Sequence, residues 1–411
     1  AAELRIPLTQ LRFRISDGGV WGKELLRQLF RKQELSVWQH LDRNASGIVH
    51  NFGEMTGLNG IKPRKQADIT PFIVGSLEKF EKVEGNPFAT GTDWKINGGL
   101  DAKFGVTNDM TLDLTVNPDF GQVEADPSVV NLTAYETFFE EKRPFFVEGN
   151  NITSFKTGIG DGDIGYDNLF YSRRIGRSPH MSAETETNEY ANTPRVTPII
   201  SAAKITGKTP DGLSIGVLEA VTAEGKAEID SLGERTWLTV EPLSNYFVSR
   251  VMKDFGGGKT VIGGAYTNTH RFLDGTGIDG LVRNANTAGI DFKHYFGDER
   301  KWFVSTAAGA SNLTGSTTAI ENLQYSSVHY YQRPDADYVE VDPTRTSLNG
   351  YGGNVQAGRV GGHWNFMAFG YFKSPGYDLN DVGYLQSADA LLTVIWSAYS
   401  FDKPFSIFRQ I

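Results

Sequence analysis

Carboxylates are concentrated in one polar stretch of the chain, residues 119–148. They are Asp119, Glu124, Asp126, Glu136, Glu140, Glu141 and Glu148. Two carboxyl groups held about 5–10 Å apart across a sugar can hydrolyse a glycosidic bond. The stretch offers several such pairs and nothing that selects one of them, so no catalytic residue is assigned. A membrane-bound glycoside hydrolase is therefore only the third candidate function.

Basic residues that can neutralise these carboxylates lie within the stretch and just beyond it. Arg143 belongs to the stretch, and Arg173, Arg174 and Arg177 form the nearest basic cluster. A guanidinium binds a carboxylate through two parallel hydrogen bonds, so we predict an internal salt-bridge network. Adjacent arginines on a strand point to opposite faces, so only one of Arg173 and Arg174 can meet a given carboxylate. A clamp for an anionic ligand is the alternative.

A second acidic group, Asp161, Asp163 and Asp167, lies in the glycine-rich run 161–168. Calcium binds several oxygen ligands from a flexible turn, and acidic residues two positions apart can supply them. The twelve-residue calcium-loop pattern is incomplete, because Gly165 stands at the fifth position and no distal glutamate closes the site. Calcium bound by these three residues is the candidate cofactor. A plain glycine-rich loop without a cofactor is the alternative.

Other motifs add no catalytic site. The seven histidines have no metal-binding spacing, and without cysteine the chain has no disulfide or thiolate metal site. Nucleophile-elbow, Walker-type and dinucleotide motifs are missing. The run His-Tyr-Tyr-Gln-Arg at 329–333 is predicted to be a loop packed on its neighbours. An aromatic rim for sugar binding is the alternative for this run.

Long strands are the elements that would position these side chains. Residues 94–106 alternate strictly between apolar and polar, and residues 110–116 resume the alternation after a turn at 107–109. Such alternation is typical of a strand with one apolar face. The first strand spans roughly 43 Å, or about 30 Å when tilted by about 45°, which matches a bilayer core. A transmembrane β-barrel is therefore predicted, and a long hairpin in a soluble sandwich is the alternative.

Further strands are predicted at short intervals downstream. They are residues 199–207, 213–223, 236–252 (broken near Pro242), 260–269, 287–296, 301–311, 354–361, 363–373 and 391–402. Short turns alternate with longer links such as 312–353, as in outer-membrane barrels. Residues 117–198 form a long polar segment; its part 119–148 is too polar to face lipid, and the apolar pairs Phe138-Phe139 and Phe145-Phe146 can anchor it. We predict that residues 119–148 narrow or plug the lumen; a solvated external loop is the alternative.

Charge and composition exclude several other classes of protein. The 411 residues carry a net charge of −9, which argues against nucleic acid as a partner. No run of about 20 apolar residues predicts a membrane helix. No signal peptide precedes Ala1, so a mature chain is expected, and residues 405–411 are expected to end in mid-strand.

Several motifs resemble those of one family of Gram-negative envelope proteins, largely of unknown function. They are Asn-Pro-Asp-Phe-Gly-Gln-Val-Glu-Ala-Asp-Pro (117–127), Phe-Phe-Glu-Glu-Lys-Arg-Pro-Phe-Phe-Val-Glu-Gly (138–149), Leu-Phe-Tyr-Ser-Arg-Arg-Ile-Gly-Arg (169–177), Val-Glu-Pro-Leu (240–243) and His-Tyr-Tyr-Gln-Arg-Pro-Asp-Ala (329–336). The resemblance covers nearly everything from about residue 70 onward. It implies an N-terminal domain similar to family-9 carbohydrate-binding modules, followed by an outer-membrane β-barrel. Residues 2–8 are similar to the tail of that module, so its sugar site is assigned to no residue here.

These observations give an expected domain plan. Residues 1–60 are the C-terminal remnant of the β-sandwich, and residues 61–92 are a connector with one short strand near 72–74. Residues 93–411 are an antiparallel outer-membrane β-barrel, with segment 117–198 in the lumen and the C-terminal strands missing.

The expected location is the outer membrane of a Gram-negative bacterium. The expected function is to pass or present solutes, glycans among them, without catalysis. The alternative is a structural or interaction subunit of an outer-membrane assembly. The expected partners are membrane lipid, carbohydrate and other outer-membrane proteins, and an anionic ligand only under the clamp hypothesis.

Overall fold

The computed structural model describes residues 3–8, 19–40, 49–58, 60–61, 66–119, 126–159, 165–401 and 406. The architecture is all-β, as predicted, and the described residues include three short α-helices. These are α1 (Pro144–Val147), α2 (Asn150–Thr153) and α3 (Thr317–Tyr325). None of the helices in the described ranges is long and apolar enough to cross a membrane.

Four short strands occupy the described part of residues 1–60. β1 (Trp21–Lys23) pairs with β4 (Gly53–Met55), and β2 (Leu26–Leu29) pairs with β3 (Glu34–Val37), both antiparallel. Residues 3–8 form no strand, and their apolar side chains Leu4 and Ile6 are exposed. Neither strand pair joins the large sheet of the described chain.

Twelve antiparallel strands form one large sheet. They are β5 (Ala67–Lys79), β6 (Thr92–Gly105), β7 (Met110–Val116), β9 (Ile199–Lys208), β10 (Leu213–Thr222), β13 (Ser244–Phe255), β14 (Thr260–Arg271), β15 (Val282–Phe296), β16 (Trp302–Gly315), β17 (Ser347–Arg359), β18 (Trp364–Lys373) and β19 (Ala390–Tyr399). Each pairs with the next in this order, so β5 and β19 are the edges and the described sheet is not closed. A smaller sheet contains β8 (Glu189–Asn192), β11 (Gly225–Ser231) and β12 (Glu234–Glu241).

The strands predicted from alternation are present near their expected positions. Pro242 lies between β12 and β13, where the predicted strand 236–252 breaks. β5 is longer than the short strand expected near residues 72–74, because all its 13 residues pair with β6. Part of the predicted connector 61–92 is therefore the first strand of the sheet. Pro71 is tolerated there because β5 is an edge strand.

Short turns and long segments lie at opposite ends of the sheet. The turns are residues 106–109, 209–212, 256–259, 297–301 and 360–363, and the long segments are 80–91, 117–198, 223–243, 272–281, 316–346 and 374–389. Consecutive strands are antiparallel, so the turns all share one end. Ala67 pairs with Phe104, beside the first of these turns, so the chain approaches β5 from the short-turn end.

The two faces of the sheet have opposite chemistry. Large apolar side chains are exposed on the outer face: Ile73, Trp94, Ile96, Ile290, Val355, Leu391 and Ile395. Polar and charged side chains are buried on the inner face: Thr111, Asp113, Lys204, Thr206, Arg250, Thr267, Thr287, Ser311 and Asn354. A sheet in a soluble protein buries its apolar face and exposes its polar face. The pattern here is therefore reversed.

Two of the long segments pack on the inner face and bury it. The first inner segment comprises residues 126–159 and 165–177, and the second inner segment comprises residues 374–389. Phe146 and Ile175 of the first pack in one cluster with Leu218 of β10. Leu169 of the first packs with Tyr377 of the second in another. Two clusters of the hydrophobic core thus lie between the inner segments and the sheet, and a third joins Ile320 of α3 to Leu313 of β16 and Leu348 of β17.

Candidate functional site: the inner face and the segments that fill it

Lys204, on the inner face of β9, holds the end of helix α1. Its side chain is 2% exposed, and its Nζ donates to the Glu148 carbonyl at 2.6 Å and to the Phe145 carbonyl. Nζ also lies 4.7 Å from the centre of the Phe145 ring. A buried ammonium group requires such partners, because desolvation without them is costly. Lys204 therefore fixes the first inner segment to the sheet.

Four of the predicted acidic residues form ion pairs. Asp126 pairs with Arg173, Glu136 with Arg174, Glu141 with Arg143, and Glu148 with Lys103 of β6. Arg173 binds Asp126 through two hydrogen bonds of 2.6 and 2.7 Å, the geometry of a guanidinium fork on a carboxylate. Four carboxylates and four cations, with Lys103 among the cations, thus form the ion pairs of the first inner segment.

Glu141 is held in its ionised form. Burial alone would raise its pKa, but hydrogen bonds from Arg143 and from the Ser172 hydroxyl hold the pKa below its usual value. Arg143 also donates to the carbonyls of Ser172 and Ile175, each at 2.7 Å. A glycosidase acid needs a raised pKa. Glu141 therefore joins two parts of the first inner segment rather than serving as an acid.

Arg174 ties the first inner segment to the second. Its side chain is 3% exposed and its Nη1 lies 2.7 Å from Oε2 of Glu136. Its Nε donates to the Gly383 carbonyl at 2.9 Å, and its Nη2 donates to Oδ1 of Asn380 at 3.0 Å. Arg173 and Arg174 lie in a 3₁₀ turn, Ser172–Arg174, and not in a strand. Each therefore reaches its own carboxylate.

A cross-strand row of glycines receives two aromatic rings from the inner segments. Gly289, Gly309 and Gly352 lie opposite one another on β15, β16 and β17. A Cβ on Gly289 would lie 2.6 Å from Phe155, and a Cβ on Gly309 or Gly352 would lie 2.8 Å from Tyr377. An added Cβ cannot lie this close to a ring atom in a closely packed protein interior. Both rings therefore occupy space that only glycine leaves open.

His329 joins the second inner segment to the residues that follow α3. Its Nδ1 donates to the Pro375 carbonyl and its Nε2 donates to Oδ2 of Asp378, both at 2.8 Å. Both partners are acceptors, so the ring carries both protons. Burial opposes both charges, but their mutual contact raises the pKa of His329 and lowers the pKa of Asp378. The run 329–333 is accordingly packed at His329, whereas Tyr330 is exposed.

Comparison with known proteins identifies the family. A family model described as a domain of unknown function (DUF5916) matches residues 67–411. The chain belongs to this family. No curated protein matches the chain. The DUF5916 match begins at the first residue of β5 and covers the whole described sheet with both inner segments, whereas the two N-terminal strand pairs lie outside it.

Three further predicted site residues of the DUF5916 domain are Asp119, Glu140 and Arg177. Asp119 is partly buried just after β7, and Glu140 is exposed while its carbonyl accepts from Arg173 at 2.9 Å. Burial and the neighbouring Arg174 lower the pKa of Arg177. Glu124, Asp161 and Asp163 lie outside the described residues.

Asp167, the described member of the predicted calcium site, forms a buried ion pair. Its Oδ2 lies 2.8 Å from Nζ of Lys373 on β18, and the Gln386 backbone N–H lies 3.3 Å from Oδ1. Burial raises the pKa of Asp167, although Lys373 opposes this. The described parts of the chain contain no group of three acidic, histidine or cysteine residues that could hold a metal ion.

Sequence reasoning missed the second inner segment and the cations on the inner face. Arg250 of β13 binds Asp291 of β15 through hydrogen bonds of 2.7 and 2.8 Å. Nη1 of Arg271 on β14 lies 2.5 Å from Oδ1 of Asp381 in the second inner segment. The sequence pattern could have indicated these cations, because each arginine occupies a position on the polar face of an alternating strand. A basic residue in that position indicates a buried partner.

Proposed function

We propose that the DUF5916 domain forms the wall and the plug of a β-barrel in the outer membrane of a Gram-negative bacterium, and that it passes or presents solutes without catalysis. The reversed chemistry of the two faces is the observation that carries this proposal. Ile290 at 70% exposure and Leu391 at 83% exposure would be costly in water, and lipid is the solvent that accepts them. In lipid both edges must be paired. The proposal therefore requires β5 and β19 to find partner strands.

Aromatic contacts on the outer face near the short turns support a membrane location. Phe296 stacks on Trp302 with ring centres 6.1 Å apart, and Trp302 packs edge-on against Phe366 at 5.6 Å. Phe366 in turn lies 5.4 Å from Trp364. Aromatic belts of this kind lie at the lipid head groups. The short turns would then project from one membrane surface.

The distribution of turns and long segments supports an orientation. Outer-membrane barrels place short turns in the periplasm and long loops outside the cell. The chain enters β5 from the short-turn end, so a preceding module similar to family-9 carbohydrate-binding domains would lie in the periplasm. Both inner segments would then enter the lumen from the extracellular side.

A cavity on the inner face supports solute binding over a purely structural role. Its volume is about 500 Å³. Its walls include Phe155, Lys156, Arg250, Asp291 and Asn354, a mixture of charged and amide groups. A polar cavity of this size accommodates a small hydrophilic solute. The structural alternative is supported by the buried ties at Arg174 and His329, which hold the plug in place.

Single-channel recording in planar bilayers tests the proposal. We expect the wild-type protein to give small, infrequent openings, and Arg174→Ala to give larger ones because the two inner segments lose one of the buried contacts that join them. Arg235→Ala, on the exposed surface of β12, is the matched control and should behave as wild type. A protein that inserts but stays sealed in all three forms would instead support the structural alternative.

A further inference from the structure

Two adjacent cross-strand rows on the outer face of β14–β17 differ sharply in chemistry. The row nearer the short turns contains Tyr266, Ala288, Ala310 and Tyr351, each directly opposite the next. The row one step toward the long segments contains Asn268, Asn286, Asn312 and Asn349, again opposite one another. The outer surface thus changes from apolar to amide within two residues of each strand.

The first of these rows forms a groove. The rings of Tyr266 and Tyr351 stand at its ends, and Ala288 and Ala310 leave its floor low between them. Three strand spacings, about 14 Å, separate the two tyrosines, which is wide enough for a pair of acyl chains. The groove encloses about 520 Å³, and none of the residues that line it is charged.

The asparagine row offers oriented but uncharged hydrogen-bonding groups. Oδ1 of Asn286 accepts from the Tyr266 hydroxyl at 2.8 Å and from Nδ2 of Asn268 at 2.9 Å. Oδ1 of Asn349 accepts from Nδ2 of Asn312 at 2.6 Å. These contacts direct the amide nitrogens of Asn286 and Asn349 away from their neighbours, where they can donate to a ligand.

We propose that this groove binds a two-chain membrane lipid with an uncharged, hydroxyl-rich head group, of the glycosyl diacylglycerol type. The acyl chains lie on Ala288 and Ala310 between the tyrosine rings, and the head-group hydroxyls accept from and donate to the asparagine row. A phosphate head group is disfavoured, because phosphate selects arginine or lysine and the groove has neither. The inference rests on the proposed membrane location.

Native mass spectrometry of the full-length protein released from detergent tests this proposal. Monoglucosyl diacylglycerol and phosphatidylglycerol with identical acyl chains are the two probes. We expect the wild type to retain the glucosyl lipid selectively. The double variant Asn286→Leu/Asn349→Leu should retain it about tenfold less, the loss expected for one or two hydrogen bonds. Ala310→Trp should also retain it about tenfold less, because the indole ring fills the groove.

Ala368→Trp is the matched control, because Ala368 lies on the outer face of β18, two strands from β16 and outside both the groove and the path of the acyl chains. It should bind the glucosyl lipid as the wild type does. Equal retention of both lipids by all forms would indicate only non-specific lipid around the protein and would overturn the inference alone. A wild type that fails to insert into lipid vesicles would overturn the proposed function as well as this inference.

Discussion

Nε2 of His329 lies 2.8 Å from Oδ2 of Asp378, and the opposite nitrogen of the same ring lies 2.8 Å from the Pro375 carbonyl. A buried imidazolium thus links the chain after α3 to the second inner segment. Among the described residues, Arg174, Tyr331 and Tyr377 are ionisable groups near the pair. Arg174 acts on the charge of Asp378, and the Tyr331 ring lies 6.3 Å from that of His329. Burial and the charge of Asp378 raise the pKa of Tyr377. The second inner segment is therefore held from two sides.

This pair should make stability depend on pH. The raised pKa of His329 gives a contribution that is complete below its unfolded value of about 6.5 and is lost as pH rises through the folded value. The lowered pKa of Asp378 gives a contribution that is lost only as pH falls below about 3.9. We expect the Tm in detergent to fall as pH rises above about 6.5, and His329→Gln to flatten that fall.

The control for this experiment is His363→Gln, because His363 is exposed near the short turns. It should keep the wild-type slope. A wild-type curve that superimposes on that of His329→Gln across the whole range would show that the ring is neutral.

Neighbouring arginines provide a matched test of the plug. Arg174→Ala leaves the Gly383 carbonyl and the Asn380 side chain without their buried donor, whereas the half-exposed Glu136 regains water, so we expect a loss of about 1–3 kcal/mol in unfolding free energy. Arg173 is itself partly exposed, and both it and Asp126 contact water, so Arg173→Ala should cost at most about 1 kcal/mol. Denaturant titration in detergent measures both. Losses of equal size would contradict the assigned role of Arg174.

The contact of Gly350 with the second inner segment predicts sensitivity to a single methyl group. A Cβ on Gly350 would overlap the backbone of Tyr377, which cannot move aside as a flexible side chain can. We expect Gly350→Ala to cost about 1–3 kcal/mol and to enlarge channel openings, as overpacking does. Gly264→Ala is the control, because its Cβ would meet nothing closer than 3.7 Å. Identical channel records for the two variants would contradict the placement of the second inner segment.

The strands of the sheet could be predicted from the sequence, whereas the packing of the second inner segment against the sheet could not, and the difference has a physical reason. Alternation is a local property, so residues 301–311 and 287–296 identify β16 and β15 directly. The second inner segment has no such period: Tyr377 and Tyr384 are buried by contacts with residues distant in the chain, and nothing near them signals this. The same holds for Arg174, because the turn that directs it to Glu136 is set by packing and not by strand alternation.

The most direct test of a transmembrane sheet compares two exposed apolar residues. Ile290 lies in the middle of β15 at 70% exposure, and Leu232 lies in the turn between β11 and β12, beyond the large sheet, at 85% exposure. Arginine on a lipid-facing surface near the bilayer centre costs about 2–4 kcal/mol, whereas arginine in water costs little. Folding into lipid vesicles, followed by the heat-induced gel shift, should give a much lower folded fraction for Ile290→Arg and a wild-type fraction for Leu232→Arg. Equal folded fractions for the two variants would contradict the membrane location of the sheet.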